Sequence, residues 1–278
     1  MPRSAVLLTV LVTLAVPAAS AAPIYTPELG QSGKDVPWVP TPEPLVERML
    51  TMAQVGPGDL VVDLGSGDGR TVLAAAKNFG ARATGIEYDA RLVAHARRRA
   101  AQAGLGPPRV KFIQGDIYEA DFSEATVITL YLMPSINKRL RPTLLKMRPG
   151  TRVVSHQFAM DDWQPDETSY LGARTAHLWI VPADVGGTWA LTMPDGGTVD
   201  LELAQKYQHV SGRVRYGDIG AGLREVQLRG DGLRFRLIDQ SGRTHDFSGR
   251  VDGDRMSGTV HAGGKAVAWT ATRTAPPA

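Results

Sequence analysis

The chain has 278 residues, 43% of them hydrophobic, which is enough to bury the core of one full α/β domain and of a smaller second one. Its 31 basic residues exceed its 28 acids by a net charge of only +3, with no basic block, which argues against a nucleic-acid partner. It has no cysteine, so disulfides, cysteine-ligated zinc and a thiol nucleophile are excluded.

Arg3 begins a short charged region, Ala5 to Val16 is an apolar run of 12 residues, and Ala19-Ser20-Ala21 offers an A-x-A cleavage site. Residues 1–21 therefore read as a secretory signal peptide, and the mature protein as exported, periplasmic or secreted. The apolar run is shorter than the roughly 20 residues that span a bilayer, so no transmembrane span is expected once the signal is removed. Residues 22–40, rich in Pro and Gly, predict an extended arm. Pro42-Glu43-Pro44 opens a helix to about Val55, with proline in the first turn where a missing amide is harmless. Strands are predicted at 60–64, 83–87, 110–114, 127–132 and 152–158, alternating with helices at 71–78, 90–103 and 136–147. Further strand character lies at 173–181, after the loop Asp161-Asp162-Trp163-Gln164-Pro165. Alternation of this kind implies an α/β domain over residues 41–184: a Rossmann-like, doubly wound, mostly parallel sheet with helices on both faces. On the second of these helices, Arg97-Arg98-Arg99 reads as a solvated face.

From Gly186 the grammar changes to short alternating runs separated by Pro194-Asp195-Gly196-Gly197, Gly230-Asp231-Gly232 and Gln240-Ser241-Gly242. Residues 185–278 thus predict a small antiparallel β domain, sandwich or barrel. Val210-Ser211-Gly212-Arg213-Val214 recurs loosely as Phe247-Ser248-Gly249-Arg250-Val251, and Gly187-Thr188-Trp189 is similar to the G-x-W of lipocalin-type barrels. No catalytic constellation stands out in this half.

The chemistry is concentrated in Val61-Val62-Asp63-Leu64-Gly65-Ser66-Gly67-Asp68-Gly69-Arg70 and in Gly85-Ile86-Glu87, whose acid falls 20 positions after Gly67. A strand, a glycine turn, a helix and a second strand ending in an acid make a nucleoside-binding βαβ unit. A dinucleotide loop would put its third glycine at position 70, which is Arg70, and the acids Asp63 and Asp68 would repel a pyrophosphate. A cationic ligand suits the turn better. S-Adenosylmethionine has no phosphate, carries an ammonium and a sulfonium, and has a ribose diol that can donate to Glu87.

On these residues the sequence resembles the class I S-adenosylmethionine-dependent methyltransferases. The resemblance continues through Val110-Lys111-Phe112-Ile113-Gln114-Gly115-Asp116-Ile117, where Asp116 stands at the position that hydrogen-bonds the adenine amino group. It extends to Tyr131-Leu132-Met133-Pro134, the loop beside the methyl group. Together with Val36-Pro37-Trp38-Val39-Pro40-Thr41-Pro42, these segments resemble the lysine methyltransferases of the ATP synthase c-subunit type and their Dot1-like relatives. The resemblance implies that the segment before the first helix folds over the cosubstrate, with Thr41 holding its methionine moiety and Trp38 where the group has tyrosine. It implies cosubstrate contacts from Thr41, Asp63, Gly65, Gly67, Glu87, Asp116, Ile117 and Tyr131, with Tyr131 also the candidate catalytic residue in the acceptor channel and no metal. Taken singly, Asp63 or Asp116 reads equally well as a turn acid satisfying backbone amides. His156, ending the fifth strand, reads as structural.

Methyl transfer from a sulfonium is an in-line displacement that needs alignment and exclusion of water more than a catalytic triad. The expected reaction is transfer to a protein lysine or other amine, so the expected partner is a protein substrate; the absence of an Asn-Pro-Pro-Tyr motif argues against adenine and glutamine amides. An exported binding protein that keeps a vestigial methyltransferase fold and works through its β domain is the alternative. Oligomeric state is not legible.

Overall fold

A computed structural model describes residues 25–276 of the chain, and the signal segment read at residues 1–21 lies outside the described residues. Helix α1 (Glu43–Met52) starts after Pro42, with Pro44 in its first turn, and buries Leu45, Val46, Met49 and Leu50 along one face. Then follow β1 (Leu60–Leu64), α2 (Arg70–Asn78), β2 (Arg82–Glu87), α3 (Ala90–Gln102), β3 (Val110–Gln114), β4 (Val127–Leu130), α4 (Pro134–Leu144), β5 (Arg152–His156), β6 (Glu167–Leu171) and β7 (Arg174–Ile180). These strands form one sheet in the order β3-β2-β1-β4-β5-β7-β6, parallel from β3 to β5, with β7 antiparallel to both its neighbours.

Strand order reverses between β1 and β4. In an open α/β sheet the crevice at such a reversal, beyond the carboxyl ends of the strands, is where ligands bind. The register places Asp63, one residue before the end of β1, between Gly85 of β2 and Thr129 of β4. Both β1 and β4 are buried almost throughout, as their largely apolar sequences, interrupted only by Asp63 and Thr129, require of central parallel strands.

Three local differences from the sequence reading have simple causes. The predicted fourth strand stops at Leu130 rather than Leu132, because Pro134 starts α4 two residues earlier than periodicity suggests. Strand β6 has no counterpart in the sequence reading: Glu-Thr-Ser-Tyr-Leu sits at the sheet edge with no fully buried residue, so it carries no apolar pattern. The arm is not simply extended. The amide of Trp38 donates to Gln31 O at 2.9 Å and that of Gly30 to Trp38 O at 3.0 Å, closing residues 31–38 into a loop.

Beyond Ile180 the chain passes into a second sheet of nine strands: β8 (Gly187–Thr192), β9 (Thr198–Lys206), β10 (His209–Tyr216), β11 (Ile219–Gly222), β12 (Arg224–Arg229), β13 (Gly232–Ile238), β14 (Thr244–Asp252), β15 (Arg255–Ala262) and β16 (Lys265–Ala275). Their order is β11-β10-β9-β8-β16-β15-β14-β13-β12, all antiparallel. Pairing of the first strand with the last, Leu191 opposite Ala271, rolls the meander into a near-barrel open between β11 and β12. Its interior is filled by alternate residues, including Trp189, Leu201, Phe235, Phe247, Val260 and Trp269. Trp189, the tryptophan of the G-x-W, is fully buried; its indole N–H donates to Val185 O at 2.9 Å and the Arg273 guanidinium lies 4.3 Å over its ring. The paired glycines of the loose repeat do the same job, since a Cβ on Gly212 or Gly249 would lie 2.4 Å from a carbonyl oxygen of the neighbouring strand.

Candidate active site

A cavity opens at the carboxyl ends of β1 to β4 and is roofed by the arm, with about 970 Å³ of empty space including its mouth. Its walls include every residue singled out from the sequence for the cosubstrate: Thr41, Asp63, Gly65, Gly67, Glu87, Asp116, Ile117 and Tyr131.

Asp63 is 7% exposed and takes a hydrogen bond from the Thr129 hydroxyl at 2.6 Å. Burial pushes its carboxyl up to about 7; the Thr129 bond opposes this, and the negative charges of Asp68 and Glu87 reinforce it. Among the described residues no basic side chain pairs with it. A buried acid without a counter-ion is stabilised by whatever cation the cavity receives. The hydroxyl of Ser66 is also buried in the cavity wall, without a hydrogen-bond partner among the described residues.

Asp68 behaves differently from the sequence reading. Arg70 donates to it through Nε at 3.0 Å and Nη2 at 2.8 Å, and Arg99 through Nη1 at 2.6 Å. These guanidinium groups hold its carboxyl below the ordinary range although burial pulls the other way. Asp68 is a structural clasp, and only Asp63 and Glu87 remain to repel an anion. The Arg97-Arg98-Arg99 cluster is partly solvated, with Arg97 exposed, but it also makes internal hydrogen bonds. Arg97 donates to Phe112 O at 2.6 Å, Arg98 to Tyr25 O at 2.9 Å and Arg99 to Asp68, so the three tie α3 to β3, the arm and the glycine loop.

Glu87 is oriented by two backbone amides, Gly67 N–H to Oε2 at 2.9 Å and Asp89 N–H to Oε1 at 3.0 Å. Gly67 has φ of +53°, and a Cβ there would lie 2.6 Å from the indole nitrogen of Trp38, so only glycine lets the arm close on the loop. Asp116 takes the amide of Tyr118 at 3.0 Å and an ion pair from Lys34 of the arm. The Lys34 ammonium also lies 4.7 Å over the Tyr88 ring. Arg70 Nη1 donates to Thr41 O at 3.1 Å, so the residue in the third-glycine position anchors the arm.

Three aromatic rings gather on the β4–β5 side. Tyr131 stacks on His156 with centroids 3.8 Å apart and lies parallel to Phe158 at 6.1 Å. His156 Nδ1 shares a hydrogen bond with Thr41 Oγ1 at 3.1 Å. Burial, helped by the charge of Arg174, pushes the imidazole down to about 4, so it is neutral near pH 7. Sequence reasoning passes over His156 as structural and gives Lys34 no role. The signal available for His156 is its place at the end of β5, level with Tyr131 after β4.

The strand order, the cavity at its reversal and the acids around it define a class I S-adenosylmethionine-dependent methyltransferase. The family model described as ANTKMT methyltransferase domain matches residues 63–167. A protein-lysine N-methyltransferase of Saccharolobus islandicus is 44% identical over 134 residues, covering 48% of this chain and 83% of that protein. The lysine N-methyltransferase of the ATP synthase c-subunit in Mus musculus is 34% identical over 172 residues, covering 60% of this chain and 66% of that one. Among solved structures, an RNA methyltransferase from Salinibacter ruber bound to S-adenosylhomocysteine is 53% identical, with TM-score 0.52 over 53% of this chain and 96% of that chain. The chain belongs to the methyltransferase family that carries the ANTKMT domain, and S-adenosylmethionine is its cosubstrate.

The residues fit that cosubstrate. Asp63 offers the counter-charge for a cation, Glu87 an acceptor for a diol, and Asp116 an acceptor for an amino group. Because the sulfonium is already an activated leaving group, the chain's task is to align donor and acceptor and to keep water out.

Proposed function

We propose that this methyltransferase transfers the methyl group of S-adenosylmethionine to a protein amine, a lysine side chain first of all. The carrying observation is the aromatic wall of the cavity at Tyr131, whose ring stacks on His156. A lysine ammonium, with ordinary pKa about 10.4, must shed its proton before it can attack, and an aromatic wall that carries no acid of its own favours the neutral amine. The aromatic faces still attract the cationic form on its way in. The lysine methyltransferases that this chain resembles point the same way.

The Salinibacter protein is named an RNA methyltransferase, which raises RNA as a second acceptor. Against it stand the lack of a basic block and the internal engagement of Arg97, Arg98 and Arg99. Transfer of tritiated methyl into envelope and cytosolic extracts, followed by protease or ribonuclease digestion, tests the reading. Protease-sensitive label supports it, and ribonuclease-sensitive label alone would overturn it.

We place the activity outside the cytoplasm, on the charged start, apolar run and A-x-A of residues 1–21. Residues 41–184 form the catalytic unit in this reading and 185–278 an appended β unit. A reporter joined after Ala21 that stayed in the cytosol would refute the address.

A further inference from the structure

The family model ends at residue 167, so the match gives the nine-stranded near-barrel no role. Its contacts with the first sheet are specific. At the tip of the β9–β10 hairpin, the Tyr207 ring stacks on Trp163 with centroids 5.9 Å apart and 28° between planes, and its hydroxyl donates to Asp162 at 3.0 Å. Gln208 takes the Trp163 indole N–H at 3.0 Å and donates to Gln164 O at 2.7 Å. Lys206 pairs with Asp162 at 3.0 Å. One two-residue turn thus engages three consecutive residues of the segment between β5 and β6.

That segment, residues 157–166, begins at the acceptor side of the active site. Gln157 and Asp161 hold positive φ of 67° and 60° without being glycine, a backbone that persists only where surrounding contacts fix it. From the near side, Ser155 Oγ donates to Phe158 O at 2.7 Å and Asn137 Nδ2 to the same oxygen at 3.2 Å. Arg141 of α4 donates to Met160 O at 3.0 Å and places its guanidinium 5.6 Å over the Tyr207 ring. From the far side the clasp is Tyr207-Gln208 on the fully buried Trp163. Phe158, at the head of the segment, lies parallel to Tyr131.

We propose that the C-terminal near-barrel is a positioning element for the acceptor side: its Tyr207-Gln208 turn holds residues 157–166 in place, and Phe158 thereby sets the ring of Tyr131. Tyr207 and Gln208 are positioning residues, since neither touches the reacting atoms. The cosubstrate side, built from Asp63, Glu87 and Asp116, takes no hydrogen bond or ion pair from the second sheet among the described residues. This reading requires only that the cavity is the methyltransferase site, not that the acceptor is lysine.

The test compares full-length wild type with Gln208→Ala, Tyr207→Ala, Tyr207→Phe and, at the opposite end of the barrel, Asp218→Ala. S-Adenosylmethionine binding is read by calorimetry and backbone opening by hydrogen exchange, so no acceptor need be known. In the two clasp alanine variants, exchange at 157–161 should rise by about tenfold while exchange at 63–70 and the affinity for cosubstrate stay within about twofold. Tyr207→Phe, which keeps the stacked ring, should restore most of the protection, and Asp218→Ala should match wild type. Unchanged exchange at 157–161 in both alanine variants overturns the proposal. So does a rise shared equally by the glycine loop, which would mean general loosening.

Discussion

Asp63→Asn isolates the charge that the cavity is built to neutralise. The carboxyl stands at about 7 in the folded protein against an ordinary 3.8, mainly through burial. Below about pH 4 both folded and unfolded chains hold the proton. Between about pH 4 and pH 7 the unfolded chain releases it and the folded chain keeps it, so stability falls as pH rises through that window. Above about pH 7 the whole penalty is present; three pKa units at 1.36 kcal/mol each put its ceiling at about 4 kcal/mol. Asparagine keeps an acceptor for Thr129 without the charge. The ligand-free variant should therefore match wild type near pH 4 and exceed its melting temperature at pH 8. Saturating S-adenosylmethionine should flatten the wild-type profile, and binding near pH 7 should release a fraction of a proton, visible in calorimetry as a heat that changes with buffer ionisation enthalpy. In the variant that proton disappears and affinity falls by about 10- to 100-fold, or about 1.4 to 2.8 kcal/mol. Equal affinity of variant and wild type, with the same pH profile of stability, would refute the reasoning.

Glu87→Ala should weaken cosubstrate binding by about tenfold or more, because a charged acceptor for the ribose diol is lost; equilibrium dialysis that finds wild-type affinity sinks the ribose assignment. Lys34→Ala frees Asp116 from its ion pair with the arm, so affinity should hold or rise by up to about fivefold and lose part of its salt dependence. A large loss of affinity in calorimetry at low and high salt would instead make Lys34 a direct ligand. Because the His156 imidazole is neutral above about pH 5, the wild-type rate at saturating cosubstrate, where Asp63 is already ionised, should climb with pH as the acceptor amine deprotonates, with no inflection near 6.5. His156→Phe should keep that shape while raising the Kd for cosubstrate through the lost Thr41 contact. An inflection near 6.5 that vanishes in the variant would make the imidazole a proton carrier.

The β1–loop–α2–β2 unit is legible in the sequence because its signals are local. An apolar run, three glycines and an acid at fixed spacing fall within 27 residues, from Val61 to Glu87. The lining of the cavity follows, since every cosubstrate residue except Thr41 of the arm lies near the end of a strand or in the loop after one. What escapes is long-range pairing of charge. Asp68 takes its second guanidinium from Arg99, 31 positions away, and Asp116 its ammonium from Lys34, 82 positions away. The same blindness hides the hydrogen bonds that Arg97, Arg98 and Arg99 make from their partly solvated face. His156 is passed over because a single histidine at a strand end carries no pattern, although its partners Thr41 and Tyr131 are both identified. In the second unit the alternating strands are plain, but the choice between sandwich and barrel depends on β8 meeting β16, and no local signal reports that.

The acids of the site divide by whether the chain supplies their counter-charge. Among the described residues, Asp68 has two guanidinium partners and Asp116 has the ammonium of Lys34, while Asp63 has only a hydroxyl and Glu87 only backbone amides. A ligand must therefore bring positive charge to the tip of β1 and hydrogen-bond donors to the tip of β2. A pyrophosphate would meet the opposite field at both places. Arg70 explains how this is reconciled with a glycine loop of nucleotide-binding type. Standing where a dinucleotide fold has its third glycine, it directs its charge to Asp68 and Thr41 O instead of to a phosphate. One substitution in the loop thus removes a close approach for a phosphate and secures the arm that roofs the cavity. The cation preference of the pocket and its closure are two results of the same residue.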